Sequence, residues 1–185
     1  MNVAVYSGSF NPLHKGHQAI IRFLTEKAGF DQVYLVVTPM SPFKGEDNLK
    51  SAFQRYEAAL QAVKRHKGMK VKVLDTELRM EPPYYTIRTL DLLREREPEN
   101  NFTLVIGADN LAAFSGWNSY GRILEEYGVV VFPRKGYHRG WAAARLKKEC
   151  PGAKIRLMKA PNVVISSSEI REGLARGEDM SKWLM

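Results

Sequence analysis

Cysteine occurs once in the 185 residues, at Cys150. That excludes an internal disulfide framework and fits a reducing cytoplasm. Histidine is scarce as well, at four, and with a single cysteine no third ligand accompanies His14 and His17 as a metal site would require. No apolar run approaches the length of a membrane span, and the N-terminus lacks the pattern of a signal peptide. There is no repeat, no low-complexity tract, no linker and no cluster of carboxylates. Lys and Arg form no dense block and no stripe interleaved with aromatics, which argues against nucleic acid as a partner.

What is present suits a one-domain protein, residues 1–185, with a sizeable core: hydrophobic residues make up 44%. A formal net charge of +8 favours anionic ligands without choosing among them. Short apolar runs read as strands at 3–6, 33–37, 102–106 and 129–132; Val71 and Val73 alternate with Lys70 and Lys72 as in a half-exposed strand, and Ile155 and Leu157 suggest a sixth. Helical spacing fills the gaps. Ser51 with Gln54 forms a capping-box pattern ahead of a face of Phe53, Tyr56, Leu60 and Val63. Thr86 stands where it can cap a helix bearing Ile87, Leu90 and Leu93. Residues 140–149 carry Ala142, Ala143 and Leu146 on one side, and a final short helix runs through Leu174. Such alternation predicts an α/β fold, a doubly wound parallel sheet with ligands at its C-terminal edge.

The stretch Ser7-Gly8-Ser9-Phe10-Asn11-Pro12-Leu13-His14-Lys15-Gly16-His17 lies between the first strand and the first helix. A turn of this kind aims helix N-terminal N–H groups into a crevice where anions bind. Phosphate binding under two imidazoles is one reading. A tight turn at Gly8 and surface histidines on a first helical turn is the other. Near the other end, Ile165-Ser166-Ser167-Ser168-Glu169-Ile170-Arg171 offers hydroxyls at a helix start with an arginine one turn in, or simply a serine N-cap with a solvated arginine. On residue type alone, Asp109 after Ile106-Gly107-Ala108 reads as a helix cap and Trp117 as a core aromatic.

His14-Lys15-Gly16-His17 resembles the His-x-Gly-His signature of the nucleotidylyltransferase superfamily. With the preceding Gly-Ser-Phe-Asn-Pro it is similar to the nicotinate-mononucleotide adenylyltransferase branch. That branch usually shows Gly-Gly-Thr-Phe-Asp-Pro; here Ser7 replaces the first Gly, Ser9 keeps the hydroxyl of Thr, and Asn11 keeps the shape of Asp without its charge. Residues 165–171 resemble the family's Ile-Ser-Ser-Thr-x-x-Arg. Lys44 matches the Lys of its Pro-x-x-Pro-His-Lys loop, with Phe43 in place of His. The resemblance covers roughly residues 1–175 and fades toward Trp183-Leu184-Met185.

The resemblance implies a Rossmann-like fold and transfer of AMP from ATP to nicotinate mononucleotide in the cytoplasm, as a step of NAD synthesis. It implies ATP contacts from Gly8, Ser9, Phe10, His14, His17, Gly107, Asp109, Ile165, Ser167, Ser168 and Arg171. The mononucleotide falls to Lys44, Tyr85, Thr86, Trp117 and Arg134, and the chemistry to His14, His17, Lys44 and Arg171. Mg²⁺ is expected to be held mainly by the ATP phosphates. Neither nucleic acid nor a membrane is an expected partner, and a homo-oligomer is left open. The alternatives are a pantetheine-phosphate adenylyltransferase, another small nucleotidyltransferase, or a non-catalytic nucleotide-binding sensor.

Overall fold

These stretches become six strands: β1 (Asn2–Gly8), β2 (Gln32–Val37), β3 (Val71–Leu74), β4 (Asn101–Gly107), β5 (Val129–Phe132) and β6 (Ile155–Leu157). The computed structural model describes residues 1–39, 48–159 and 165–185. The strands form one sheet in the order β3-β2-β1-β4-β5-β6. The pairs β2–β3, β1–β4, β4–β5 and β5–β6 are each parallel. Helices α1 (Lys15–Glu26), α2 (Asn48–Arg65), α3 (Thr86–Arg96), α4 (Ala108–Ala112), α5 (Tyr120–Arg122), α6 (Arg139–Glu149) and α7 (Ser167–Ala175) separate or follow them. This is the Rossmann-like α/β fold that the alternation predicts. The chain divides into two compact units, Met1–Tyr6 with Glu81–Ala160 and Ser7–Met80 with Pro161–Met185.

In the unit of Ser7–Met80 and Pro161–Met185, Val33 to Val37 are all buried, as parallel strands covered on both faces require. Helix α1 buries Ile21 and Leu24. Helix α2 departs from expectation. Its buried stripe is Ala52, Ala59 and Ala62, while Phe53 is 38% exposed and Tyr56, Leu60 and Val63 are half-buried. Alanines let the helix backbone come close, and the larger side chains then fall at the margin of the contact. The helix also begins at Asn48, so Ser51 lies inside its first turns and is not the cap. Leu49 and Lys50 are good helix formers and extend the start beyond the capping pattern.

In the unit of Met1–Tyr6 and Glu81–Ala160, Val3 to Val5, Leu104 to Ile106 and Val129 to Phe132 are buried. Helix α3 buries Ile87, Leu90 and Leu93, and α6 buries Ala142, Ala143 and Leu146, as their spacing predicts. Thr86 is the first helical residue of α3; the N-cap is Tyr85, whose side chain makes no capping bond. Helix α5 continues as a π-helical turn, Ile123–Tyr127. This turn joins α3 through charges. Arg122 donates to Asp91 at 3.1 Å and to Glu126 at 2.7 Å, Arg94 donates to Glu126 at 2.8 Å, and the Tyr127 hydroxyl donates to Asp91 at 2.5 Å. The two guanidiniums, Arg122 first, hold the Glu126 carboxyl down at about 2.

Candidate active site

The two histidines of the first motif are a capping box. His14 is the N-cap of α1 and is buried; its Nδ1 accepts from the Gly16 N–H at 3.1 Å. Three residues on, His17 Nδ1 accepts from the His14 backbone N–H at 3.2 Å. A ring nitrogen that accepts a hydrogen bond carries no proton, so each neutral imidazole keeps its proton on Nε2. The rings stack with centroids 3.8 Å apart, and the buried Phe10 ring meets His17 edge-on at 5.2 Å. The spacing is therefore dictated by backbone geometry: N-cap and N3 are the two positions that can satisfy one another's donors. Gly16 is part of the device, because a Cβ there would lie 2.8 Å from the His14 ring.

The turn before α1 is tightly held. Phe10 takes a left-handed φ of +45°, a conformation that a side-chain-bearing residue adopts only when its surroundings enforce it. Gly8 ends β1, and its carbonyl accepts from the Thr38 N–H at 3.0 Å. Ser9 is exposed. The Ser7 hydroxyl is buried without a hydrogen-bond partner among the described residues.

The second motif reaches the first. Ser166 caps α7 in a reciprocal box with Glu169, so the ordinary capping role holds for that residue. Its two neighbours do something else. The Ser167 hydroxyl donates to the Pro12 carbonyl at 3.2 Å. Arg171 donates to the Asn11 carbonyl at 2.7 Å and to the Ser168 hydroxyl at 3.1 Å. Arg171 is thus not merely a solvated helix arginine. The Ile165 carbonyl lies 3.5 Å from the position a Cβ on Gly16 would take. The last residues close on the same turn, where the sequence resemblance had faded. Leu184 forms an antiparallel bridge with His14, the Met185 N–H donates to the Leu13 carbonyl at 3.5 Å, and Arg65 donates to the Met185 carbonyl at 3.0 Å.

The remaining expected residues of the other unit lie at strand ends and a helix start. Gly107 pairs with Phe132 across β4 and β5, which brings Asp109 and Arg134 to one sheet edge. Arg134 Nε stands 3.7 Å from Asp109 Oδ1, an ion pair too long for a hydrogen bond, and Oδ1 is buried with no hydrogen-bond partner among the described residues. A Cβ on Gly107 would lie 2.3 Å from that oxygen, so any larger residue would displace the Asp109 carboxylate from this position. The N-cap of α4 is Gly107, which corrects the capping alternative for Asp109. Burial pushes the nearby Tyr6 hydroxyl up to about 12, with Arg134 pulling it down and Asp109 raising it further. Trp117 is neither a core residue nor a free surface ring: it is half-buried, stacked at 4.8 Å on the buried Phe114. Tyr85 is exposed, and Thr86 is half-buried. Lys44 and Phe43 lie outside the described residues.

Two contributors to the first turn carry no motif. Arg55 donates to the Ser9 carbonyl at 2.6 Å and to the Thr38 carbonyl at 3.0 Å. The signal for it is helix phase, since Arg55 stands on the stripe of Ala52, Ala59 and Ala62. The tail residues Leu184 and Met185 have no comparable signal. Among the described residues, no group of three His, Cys, Asp or Glu is placed to hold a metal ion, and no helix is long and apolar enough to cross a membrane.

A family model described as Cytidylyltransferase-like matches residues 5–173. A Bacteroides fragilis protein named probable nicotinate-nucleotide adenylyltransferase is 36% identical over 180 residues, 97% of this chain and 85% of that protein. A Porphyromonas gingivalis protein of the same name is 34% identical over 184 residues, 100% of this chain and 89% of its own length. Among solved structures, the nicotinic acid mononucleotide adenylyltransferase of Plasmodium falciparum complexed with NaAD has the same fold, with a TM-score of 0.77 at 20% identity over 99% of this chain and 90% of that one. The histidine capping box, the returning α7 and the sheet order thus belong to a chain that is a member of the Cytidylyltransferase-like family and, within it, of the nicotinate-nucleotide adenylyltransferases.

Proposed function

We propose that this enzyme transfers AMP from ATP to nicotinate mononucleotide, giving deamido-NAD and pyrophosphate, in the cytoplasm and as one domain over residues 1–185. The observation that carries the reading is the meeting of the two distant motifs. Arg171 and Ser167 bond to the Asn11 and Pro12 carbonyls beside the His14–His17 box. That gathers a guanidinium, hydroxyls, helix N-terminal N–H groups and two Nε2–H donors, a set suited to a triphosphate.

The 5′-phosphate oxygen of the mononucleotide attacks the α-phosphorus, a P–O bond forms, and the bond to the pyrophosphate oxygen breaks. That nucleophile is already anionic near neutral pH, its second pKa being about 6, so no general base is required. Catalysis is then positioning plus stabilisation of charge. His14, His17, Ser168 and Arg171, with Lys44, act on the phosphates, supported by Gly8, Ser9, Phe10, Ile165 and Ser167. Gly107 and Asp109 take the adenosine. Mg²⁺ would be held mainly by the ATP phosphates and would supply charge neutralisation there. Tyr85, Thr86, Trp117 and Arg134 take the mononucleotide. At the start of α3 the N-cap Tyr85 makes no side-chain capping bond, which suits the first-turn N–H groups to a pyridine carboxylate. An amide there would set its NH₂ against a donor. One unsatisfied buried group costs about 1–3 kcal/mol, so the acid should be preferred by about 10–100-fold.

The test is kcat/KM for pyrophosphate release with nicotinate mononucleotide, its amide and pantetheine phosphate under one set of conditions. Preference for the acid is expected. Equal use of acid and amide overturns the pocket assignment, and preference for pantetheine phosphate overturns the substrate. ATP binding without pyrophosphate release from any acceptor indicates a sensor.

A further inference from the structure

We propose that Arg55 is a positioning residue for ATP, holding the first motif from the buried face of α2. The inference rests on the reading of that turn as a phosphate site. Arg55 shares a stripe with Ala52, Ala59 and Ala62, so it points where the helix otherwise buries methyl groups. A guanidinium there loses hydration, and burial lowers its pKa from the ordinary arginine value; it nonetheless stays charged at any working pH. Among the described residues it makes no ion pair, and its partners are two backbone carbonyls, Ser9 O at 2.6 Å and Thr38 O at 3.0 Å.

Those carbonyls stand just beyond the ends of β1 and β2, which are already tied by the Thr38 N–H to the Gly8 carbonyl. The planar fork therefore completes a clasp over two strand ends. Immediately after Ser9 the chain enters the left-handed turn at Phe10. The carbonyls at 9 and 11 are thus each held by a guanidinium, Arg55 from α2 and Arg171 from α7. With both oxygens turned toward cations, the peptide units between them have their orientation set before substrate arrives, which spares ATP the cost of ordering them. Lysine at 55 keeps the charge but not the two-armed geometry.

Arg55→Ala and Arg55→Lys are compared with the wild type by thermal melting, by calorimetric titration with MgATP, and by steady-state kinetics with and without millimolar guanidinium. In Arg55→Ala, MgATP affinity and kcat/KM for ATP should each fall at least about tenfold. The KM for the mononucleotide should stay within about twofold, and guanidinium should restore much of the loss. Arg55→Lys should melt near the wild type yet remain impaired toward ATP, without guanidinium rescue. If Arg55→Ala does not fold, Arg55→Lys decides. Wild-type ATP parameters in a folded variant overturn the proposal, as does an ATP defect that guanidinium leaves unchanged in Arg55→Ala. Wild-type protein that binds MgATP but transfers no AMP overturns the enzymatic reading; weakened MgATP binding in Arg55→Ala still supports the placement.

Discussion

At His17 the observed cap and the proposed catalytic role can be separated. Nδ1 accepts from the His14 backbone, and the proposed function gives the other side of the ring to phosphate. Asparagine places an oxygen near Nδ1 and nothing near Nε2, so His17→Asn should keep the cap and its melting temperature while kcat drops on the order of 10²–10³-fold. His17→Ala should lose the same turnover and in addition about 0.5–2 kcal/mol of stability with the cap. Denaturant unfolding alongside pyrophosphate release checks both, and equal stability of the two variants would refute the double role. The pair of histidines was legible in the sequence as two side chains at a helix start. That both Nδ1 atoms serve as caps was not, because such bonds depend on the extended backbone at His14 and on the missing side chain at Gly16. Arg55 was marked only by its phase with Ala52, Ala59 and Ala62, a faint signal because a lone arginine on a helix is ordinarily solvated.

Elements show the same division. The inner strands were readable because parallel strands buried on both faces become continuous apolar runs, whereas the outer strands β3 and β6, with exposed Lys72 and Arg156, were readable only from alternation. Helix starts were less so: Ser51 and Thr86 have capping side chains, yet the helices begin at Asn48 and after Tyr85. Serine and threonine tolerate both positions, and neighbouring propensity decides. The link between α3 and the π-helical turn was half visible, as Arg122 and Glu126 are one turn apart while Asp91 is distant in sequence. This link gives a pH prediction. The Glu126 carboxyl titrates at about 2 in the folded protein, below its unfolded value. Its contribution is therefore complete above the unfolded carboxylate range and disappears as pH falls through about 2. Glu126→Gln should melt below the wild type at pH 6, and the gap should close between roughly pH 4.5 and 2. A gap unchanged over that window would show that the ion pairs contribute nothing measurable.

Over the whole molecule, the excess of 28 Lys and Arg over 20 Asp and Glu should act on both anionic substrates at once. Raising salt from about 50 to 500 mM shortens the Debye length from roughly 14 to 4 Å, so kcat/KM for ATP should fall severalfold while kcat moves less. A flat profile would mean that the charge serves solubility alone. The spread of that charge was plain from the sequence; the strand order that gathers the motifs was not, because topology follows from which crossovers pack and not from local spacing. One contact has a temporal meaning. Leu184 bridges to His14, and Met185 to Leu13. During synthesis, at about 5–20 residues per second, the turn emerges early and waits on the order of ten seconds or more for its partner. Closing so long a loop is slow and comes late on entropic grounds. A nascent chain can therefore have its first motif held by Arg55 of α2 well before Arg171 and Leu184 arrive to close on it from the other side.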